Sequence, residues 1–415
     1  ILVNAQGRSV QRQGAYAPVL RSQPPMAGDD LRLSIDLQAQ QAAEEGLGDH
    51  RGAVVALDPR NGDVLALASE PGFDPAEFAR GISRSEYAAL ADNIDKPLLN
   101  RALRGTYPSG STIKPVIALA ALSYHLVDPN KPEFCAGVFH LPGSRLLFRE
   151  GRTGRHGWLD LTHAIAKSCD VYFYGLAATV GAERIAAFMA PFGYGELTGI
   201  DISGEKPGLL PSPEWKKKAF KPPLNVWYPG ETVNFGVGQG YLLVTPLQLA
   251  HVASVLAERG KSFRPRLVTG VRDASGRITA IEPVADPPIQ GVSSTDWDIV
   301  INGMVGAATY GTAAAISKGA TYSIAGKTGT AQVFTVSRSE RLTQKVAERL
   351  KDHAWFIAFA PVEDPRIAVA VLVENGGFGA SAAAPIARKV MDAYLLRQST
   401  ASASETSVPE SQAAD

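Results

Sequence analysis

Two stretches near opposite ends of the chain set the frame for any fold it can adopt. "GAVVALDPRNGDVLALAS", Gly52 to Ser69, and "HAWFIAFAPVEDPRIAVAVLVEN", His353 to Asn375, are each a pair of apolar, β-type runs broken by a turn. In the first, the DPRNGD turn carries Asn61 and Gly62, which tolerate positive φ. In the second, both runs are almost continuously apolar, as central strands covered on both faces must be. "YSIAGKTGTAQVF", Tyr322 to Phe334, supplies a fifth strand, and "APIARKVMDAYLL", Ala384 to Leu396, a closing helix. The middle of the chain shows helical and loop patterns. The expected fold is therefore α+β: a five-stranded antiparallel sheet made from both chain ends and covered by helices, with an all-helical subdomain inserted over about residues 75–315. Residues 31–397 form this domain. Residues 1–30, ending in "RSQPPMAGDD", read as the remnant of a preceding segment, and the Ser/Ala/Glu-rich residues 398–415 as a disordered tail.

Composition narrows the classes. A 45% hydrophobic content is ample for a core. Lys plus Arg equals Asp plus Glu at 41 each, so no basic excess points to nucleic acid. The best apolar run, "PVIALAAL" at 115–122, is less than half of the roughly 20 residues that span a bilayer. "KKKAFKPPLNVWYPGE", Lys216 to Glu231, reads as a solvated loop with exposed lysines.

The chemistry concentrates in "GTYPSGSTIKP", residues 105–115. A serine attacks a carbonyl when a base takes its proton, and a lysine one helical turn on can serve. Ser111 alone among the four aliphatic hydroxyls here has that partner, Lys114. A helix start beside it offers free backbone N–H groups and a positive dipole end to developing negative charge. A lone SxxK is more often a capped helix with a surface lysine, and "SGEK", Ser203 to Lys206, matches it in a Gly/Pro-rich loop. Two further elements follow in order. Ser168-Cys169-Asp170 opens the apolar "VYFYGLAA" helix, and Lys327-Thr328-Gly329 lies in the expected fifth strand, where flanking glycines let another chain lie alongside. SxD by itself is common, since Ser34-Ile35-Asp36 and Ser294-Thr295-Asp296 also fit.

These three elements, with "RGAVVALDPRNGDVLALAS", "GQGYLLVTPLQLA", "AGKTGTAQVF" and "ENGGFG", resemble the penicillin-binding, active-site-serine family, and within it the elongation-type class B transpeptidases. The resemblance implies the transpeptidase/serine β-lactamase-like fold and a peptidoglycan D,D-transpeptidase that β-lactams acylate. It assigns Ser111 as nucleophile, Lys114 as general base, Ser168 as proton relay to the leaving amine and Lys327 as holder of the substrate carboxylate. Ser111 and Thr330 N–H groups would form the oxyanion hole, and the Lys327, Thr328, Gly329, Thr330 strand would align the donor stem peptide. The same resemblance implies D-Ala-D-Ala stem peptides as substrate and no catalytic cofactor. It also implies a glycosyltransferase and elongation-complex membrane proteins as partners, an inner-membrane anchor outside this chain, and a periplasmic catalytic domain. Asp170 stands where most of the superfamily has asparagine, so it must accept from a donor such as Lys114 or a substrate N–H, or be protonated. Ser109 stands where this class usually has proline, which would loosen the turn before the helix.

In an SxD turn the outer side chains share a side, so Cys169 points away from the substrate. With Cys135, Glu150 and His156 it makes four potential ligands in a glycine-rich stretch, a mix resembling a structural zinc site. A Cys135–Cys169 disulfide and two buried thiols are the alternatives. Rival enzymes are weaker. "KPLLN" and "KPPLN" put lysine where a class A β-lactamase needs its deacylating glutamate. Asp352 and His353, adjacent on a strand, point to opposite faces and cannot serve one Ser/His/Asp triad. A DD-carboxypeptidase shares every motif, and a β-lactam sensor would need a signalling segment.

Overall fold

The two apolar hairpins and the KTG segment pair as their sequences require. The computed structural model describes residues 28–151, 154–333 and 348–405. Its main sheet is antiparallel throughout, in the order Ala325–Ala331, His353–Ala360, Ile367–Val373, Gly52–Leu57, Val64–Glu70. The central strands are buried on both faces, and alternation divides their side chains between two cores. Trp355, Ile357, Phe359, Ala370 and Leu372 face the larger helical region. Phe356, Ala358, Val369 and Val371 face a layer formed by helices Leu37–Leu47 and Ala384–Glu405.

Helix Pro246–Ala257 lies against three of these strands and is buried along its whole length. Its near-uniform apolarity leaves no polar face to show water. Thr245 and Gln248 close its start with a reciprocal capping box. The two other SxD triplets both sit at helix starts: Asp36 caps Leu37–Leu47, and Asp296 completes the capping box in which Ser293 caps Ser294–Thr309.

Four expectations need correction. The inserted region is not all-helical. It carries two ribbons, Glu133–Cys135 with Gly157–Leu159 and Val138–His140 with Leu147–Arg149. A further, three-stranded sheet joins Asp30–Leu33, Val268–Arg272 and Ile278–Ala280. Three-residue strands are too short to show a period of two, so nothing in the pattern marks them. The closing helix does not stop at Leu396 but continues to Glu405, through a stretch with no Gly or Pro to end it. Lys216 is not exposed: it is buried beside Tyr228 and Tyr241 and paired with Glu231. Leu37, Ala42, Ala43 and Leu47, which the spacing in "LRLSIDLQAQQAAEEGL" puts on roughly one side of a helix, do not together form the packing face: Leu37 is exposed, and Ala39, Ala43 and Leu47 do the packing. Residues 1–27 and 406–415 lie outside the described residues, and with them nearly all of the proposed remnant and the end of the proposed tail.

Candidate active site

The turn that carries Ser111 is fastened from three directions. Tyr107 exchanges both backbone hydrogen bonds with Val244, at 3.0 and 2.9 Å. Trp355 Nε1 donates to Pro108 O at 3.0 Å, and Gly110 N donates to Gly238 O at 2.9 Å. Gly110 and Gly238 both have positive φ, +53° and +74°, and meet so closely that a Cβ on Gly238 would lie 2.0 Å from Gly110 O. Ser109 does not loosen this turn. It is fully buried, its φ of −76° lies in the range proline itself adopts, and its carbonyl accepts the Thr112 hydroxyl at 2.9 Å.

Ser111 then enters a single 3-10 turn, Gly110–Ile113, which runs into helix Lys114–Ser123. In a 3-10 turn the side chains at i and i+3 eclipse, so Ser111 and Lys114 share a side more closely than an α-helix would place them. Lys114 is fully buried. Ser111 is half-buried, and among the described residues its Oγ makes no hydrogen bond.

Ser168 and Asp170 come to Lys114 from the start of helix Asp170–Val180. Lys114 Nζ donates to Asp170 Oδ1 at 2.6 Å, to Ser168 O at 2.7 Å and to Ser168 Oγ at 3.2 Å. Lys327 Nζ reaches the same Ser168 Oγ at 2.8 Å. One hydroxyl is thus held between two lysine side-chain nitrogens. Ser168 takes a left-handed φ of +56°, uncommon for a residue with a side chain. Lys327 is fully buried, and burial followed by the nearby Lys114 charge pushes its pKa well below the usual lysine value, against the pull of Asp170.

The aspartate has its donors. Asp170 Oδ1 accepts from Lys114, and Oδ2 accepts from Gly151 N at 3.1 Å. The helix behind it is capped by a residue read from sequence only as a possible ligand. Glu150 accepts from Asp170 N at 3.0 Å and Val171 N at 3.1 Å, a carboxylate placed at the positive end of the helix.

The KTG strand Ala325–Ala331 is an edge strand, paired only with His353–Ala360 among the described residues. Its glycines serve a purpose different from the one expected. A Cβ on Gly329 would lie 2.8 Å from Thr112 Cγ2 and 2.9 Å from Ser109 O, so this glycine lets the turn carrying Ser111 approach the strand; Gly326 is closed in by the Phe356 ring. Thr328 Oγ1 lies 2.9 Å from Thr312 Oγ1, a neighbour with no motif to mark it. Gln239 Nε2 donates to Thr330 O at 3.2 Å.

Behind the SxD turn, Cys169 does point away from Lys114 and is fully buried. It forms a disulfide with Cys135. Glu150 Oε2 lies 3.5 Å from each sulfur, and His156 Nε2 is 3.8 Å from Glu150 Oε1. Donor atoms of Cys135, Glu150 and His156 all fall within 4.8 Å of one another. Burial lowers the His156 pKa and so favours the neutral ring that a metal requires. Two sulfurs, an imidazole and a carboxylate suit four-coordinate zinc, provided the sulfurs are reduced. His163 instead pairs with Asp160 at 2.7 Å, and His140 is exposed. The other SxxK, Ser203 to Lys206, sits in an exposed turn, and His353 Nδ1 accepts Asn375 N at 3.0 Å.

The chain matches the family model "Penicillin binding protein transpeptidase domain" over residues 52–392. It is 40% identical over 390 residues to the peptidoglycan D,D-transpeptidase MrdA of Escherichia coli, covering 93% of this chain and 61% of that protein. The chain thus spans about three-fifths of that curated relative. Among solved structures it resembles Pseudomonas aeruginosa PBP2 in complex with WCK 5153, with a TM-score of 0.79, 44% identity, and coverage of 90% of this chain and 77% of that one. It also resembles the PBP2 of a complex between PBP2 and MreC from Helicobacter pylori, with a TM-score of 0.77, 28% identity, and coverage of 94% and 67%.

Proposed function

This chain belongs to the penicillin-binding protein transpeptidase family, and we propose that it is the catalytic part of a peptidoglycan D,D-transpeptidase. The observation that carries the proposal is the Ser168 hydroxyl held between Lys114 and Lys327 beside a half-buried, unengaged Ser111. Ser111 Oγ attacks the carbonyl of the penultimate D-Ala of a stem peptide, and Lys114, oriented by Asp170 and the Ser168 carbonyl, takes its proton. Ser168 passes a proton to the departing amine of the terminal D-Ala. An amine from a neighbouring stem then attacks the Ser111 ester, forming the cross-link and freeing the serine. The Ser111 and Thr330 N–H groups take the oxyanion, and the edge strand at Lys327, Thr328, Gly329 and Thr330 lays the donor peptide alongside as an added strand. Lys327 holds the donor carboxylate. β-Lactams enter by the same route and leave a stable Ser111 ester.

With peptidoglycan strands carrying D-Ala-D-Ala stems, mass spectrometry should find cross-linked dimers together with free D-Ala. Free D-Ala without dimers would favour a carboxypeptidase, and neither product would sink both readings.

The cluster of Cys135, Glu150, His156 and Cys169 is assigned a structural Zn²⁺, bound when both cysteines are reduced, that fastens the Glu133–Cys135 ribbon to the helix bearing Ser168 and Asp170. It takes no part in bond making. In protein kept reduced, metal analysis with thiol counting should find about one zinc per chain and both thiols free once metal is stripped; no zinc in the reduced protein would refute it. The whole protein is assigned to the periplasmic face of the inner membrane, where glycan strands need cross-linking. Among the described residues no helix is long and apolar enough to cross a membrane, so an anchor would lie elsewhere in the protein. A glycosyltransferase supplying fresh strands and an MreC-like partner complete the expected assembly.

A further inference from the structure

Glu374 follows directly after the wholly buried strand Ile367–Val373, where an ionised group is costly unless fully partnered. It is fully partnered. Its Oε1 accepts the Tyr107 hydroxyl at 2.6 Å and Arg101 Nε at 2.9 Å, and its Oε2 lies 3.4 Å from Arg51 Nε. Arg101, only 2% exposed, spends its other donors on Asp95 O at 2.6 Å and Lys96 O at 3.3 Å. Burial by itself would raise the Glu374 carboxyl, but the Tyr107 hydroxyl and the Arg101 guanidinium hold it below the usual range. Burial, and then the Glu374 charge, push the Tyr107 phenol up, so the phenol stays a donor.

Such a network could serve stability alone. Its placement says more, because it ends on the turn that delivers Ser111. Tyr107 also meets Trp355 edge-on, with ring centroids 6.0 Å apart, and Trp355 holds the carbonyl of the next residue, Pro108. Gly105 leaves room for the hydroxyl, since a Cβ there would lie 2.5 Å from Tyr107 Oη.

We propose that Glu374 is a positioning residue for Ser111, acting through the Tyr107 hydroxyl: the carboxylate fixes the angle at which the chain enters the nucleophile turn. The inference rests on Ser111 being the nucleophile. Acylation by a fluorescent penicillin, resolved by stopped flow into a binding constant and an acylation rate constant, tests it in wild type, Tyr107→Phe, Glu374→Gln and the double variant. Tyr107→Phe removes one oxygen and no bulk, so it keeps the test open if Glu374→Gln folds poorly. The acylation rate constant of Tyr107→Phe should fall by about ten- to a hundredfold, as small misplacements of a reacting group do, with the binding constant within about twofold of wild type. The double variant should be no slower than the slower single variant, because both changes break one connection. An unchanged acylation rate constant in Tyr107→Phe, a loss confined to the binding constant, or a double loss equal to the product of the singles would overturn the proposal. A wild type that penicillin does not acylate would refute the Ser111 assignment itself and this inference with it.

Discussion

Replacing Gly238 by alanine should disable the proposed nucleophile, Ser111, without touching Ser111, Lys114, Ser168 or Lys327. The added Cβ would sit 2.0 Å from Gly110 O, 2.7 Å from Gly110 C and 2.5 Å from Ser109 Oγ. Carbon and oxygen do not stay within about 3 Å of each other unbonded, so the two segments must part by about 1 Å. That separation breaks or stretches the 2.9 Å bond from Gly110 N to Gly238 O and shifts the residue immediately before Ser111. Overpacking costs about 1–3 kcal/mol, and a side chain at the left-handed φ of Gly238 adds about 1–2 kcal/mol. Acylation by a fluorescent penicillin should slow by about a hundredfold, measured on the folded fraction and alongside a thermal melt. Gly240→Ala is the control. Its φ of +81° imposes similar backbone strain, yet its Cβ would meet only Asn234 Cβ at 3.9 Å. If Gly238→Ala acylates within about threefold of Gly240→Ala, the turn is not held as described and the reasoning from close approach to rate fails.

Lys114→Ala should slow acylation by about a hundredfold to ten-thousandfold, the range for loss of a general base, with the far-ultraviolet spectrum retained; near-normal acylation would show that another group takes the proton. Stability should depend on pH through His353, whose pKa burial lowers from 6.5 against the Glu374 charge. Below that value the unfolded chain binds more protons at this residue than the folded one. Wild type should therefore lose stability relative to His353→Gln as pH falls from about 7.5 to 5.5, with a slope of at most about 1.4 kcal/mol per unit, and the two should run parallel at higher pH. A constant gap between their melting curves across that range would contradict the assignment.

The parts legible in sequence were those written in local pattern. The central strands showed in their apolarity, and Ser111 with Lys114 in a one-turn spacing that a 3-10 start even tightens. What the spacing could not show is where Lys114 points, because its partners Ser168 and Asp170 arrive from another helix. The three-residue ribbons left no period to read. Lys216 was misread because its string of cations hides the one member whose partner, Glu231, lies a helix away. Glu374 passed as part of a family-like "ENGG" segment. Its physical signal was present, an acid placed directly after an entirely apolar strand, where burial demands a partner. The glycines of the KTG strand were seen but their neighbour was not, since only the folded chain shows that the nucleophile turn fills that space.

The account stands on Ser111. Labelled penicillin should leave one adduct per chain, found by peptide mapping on Ser111 within the segment "GTYPSGSTIKP", and Ser111→Ala should carry none. An adduct mapped to another residue, or one that survives in Ser111→Ala, would contradict it.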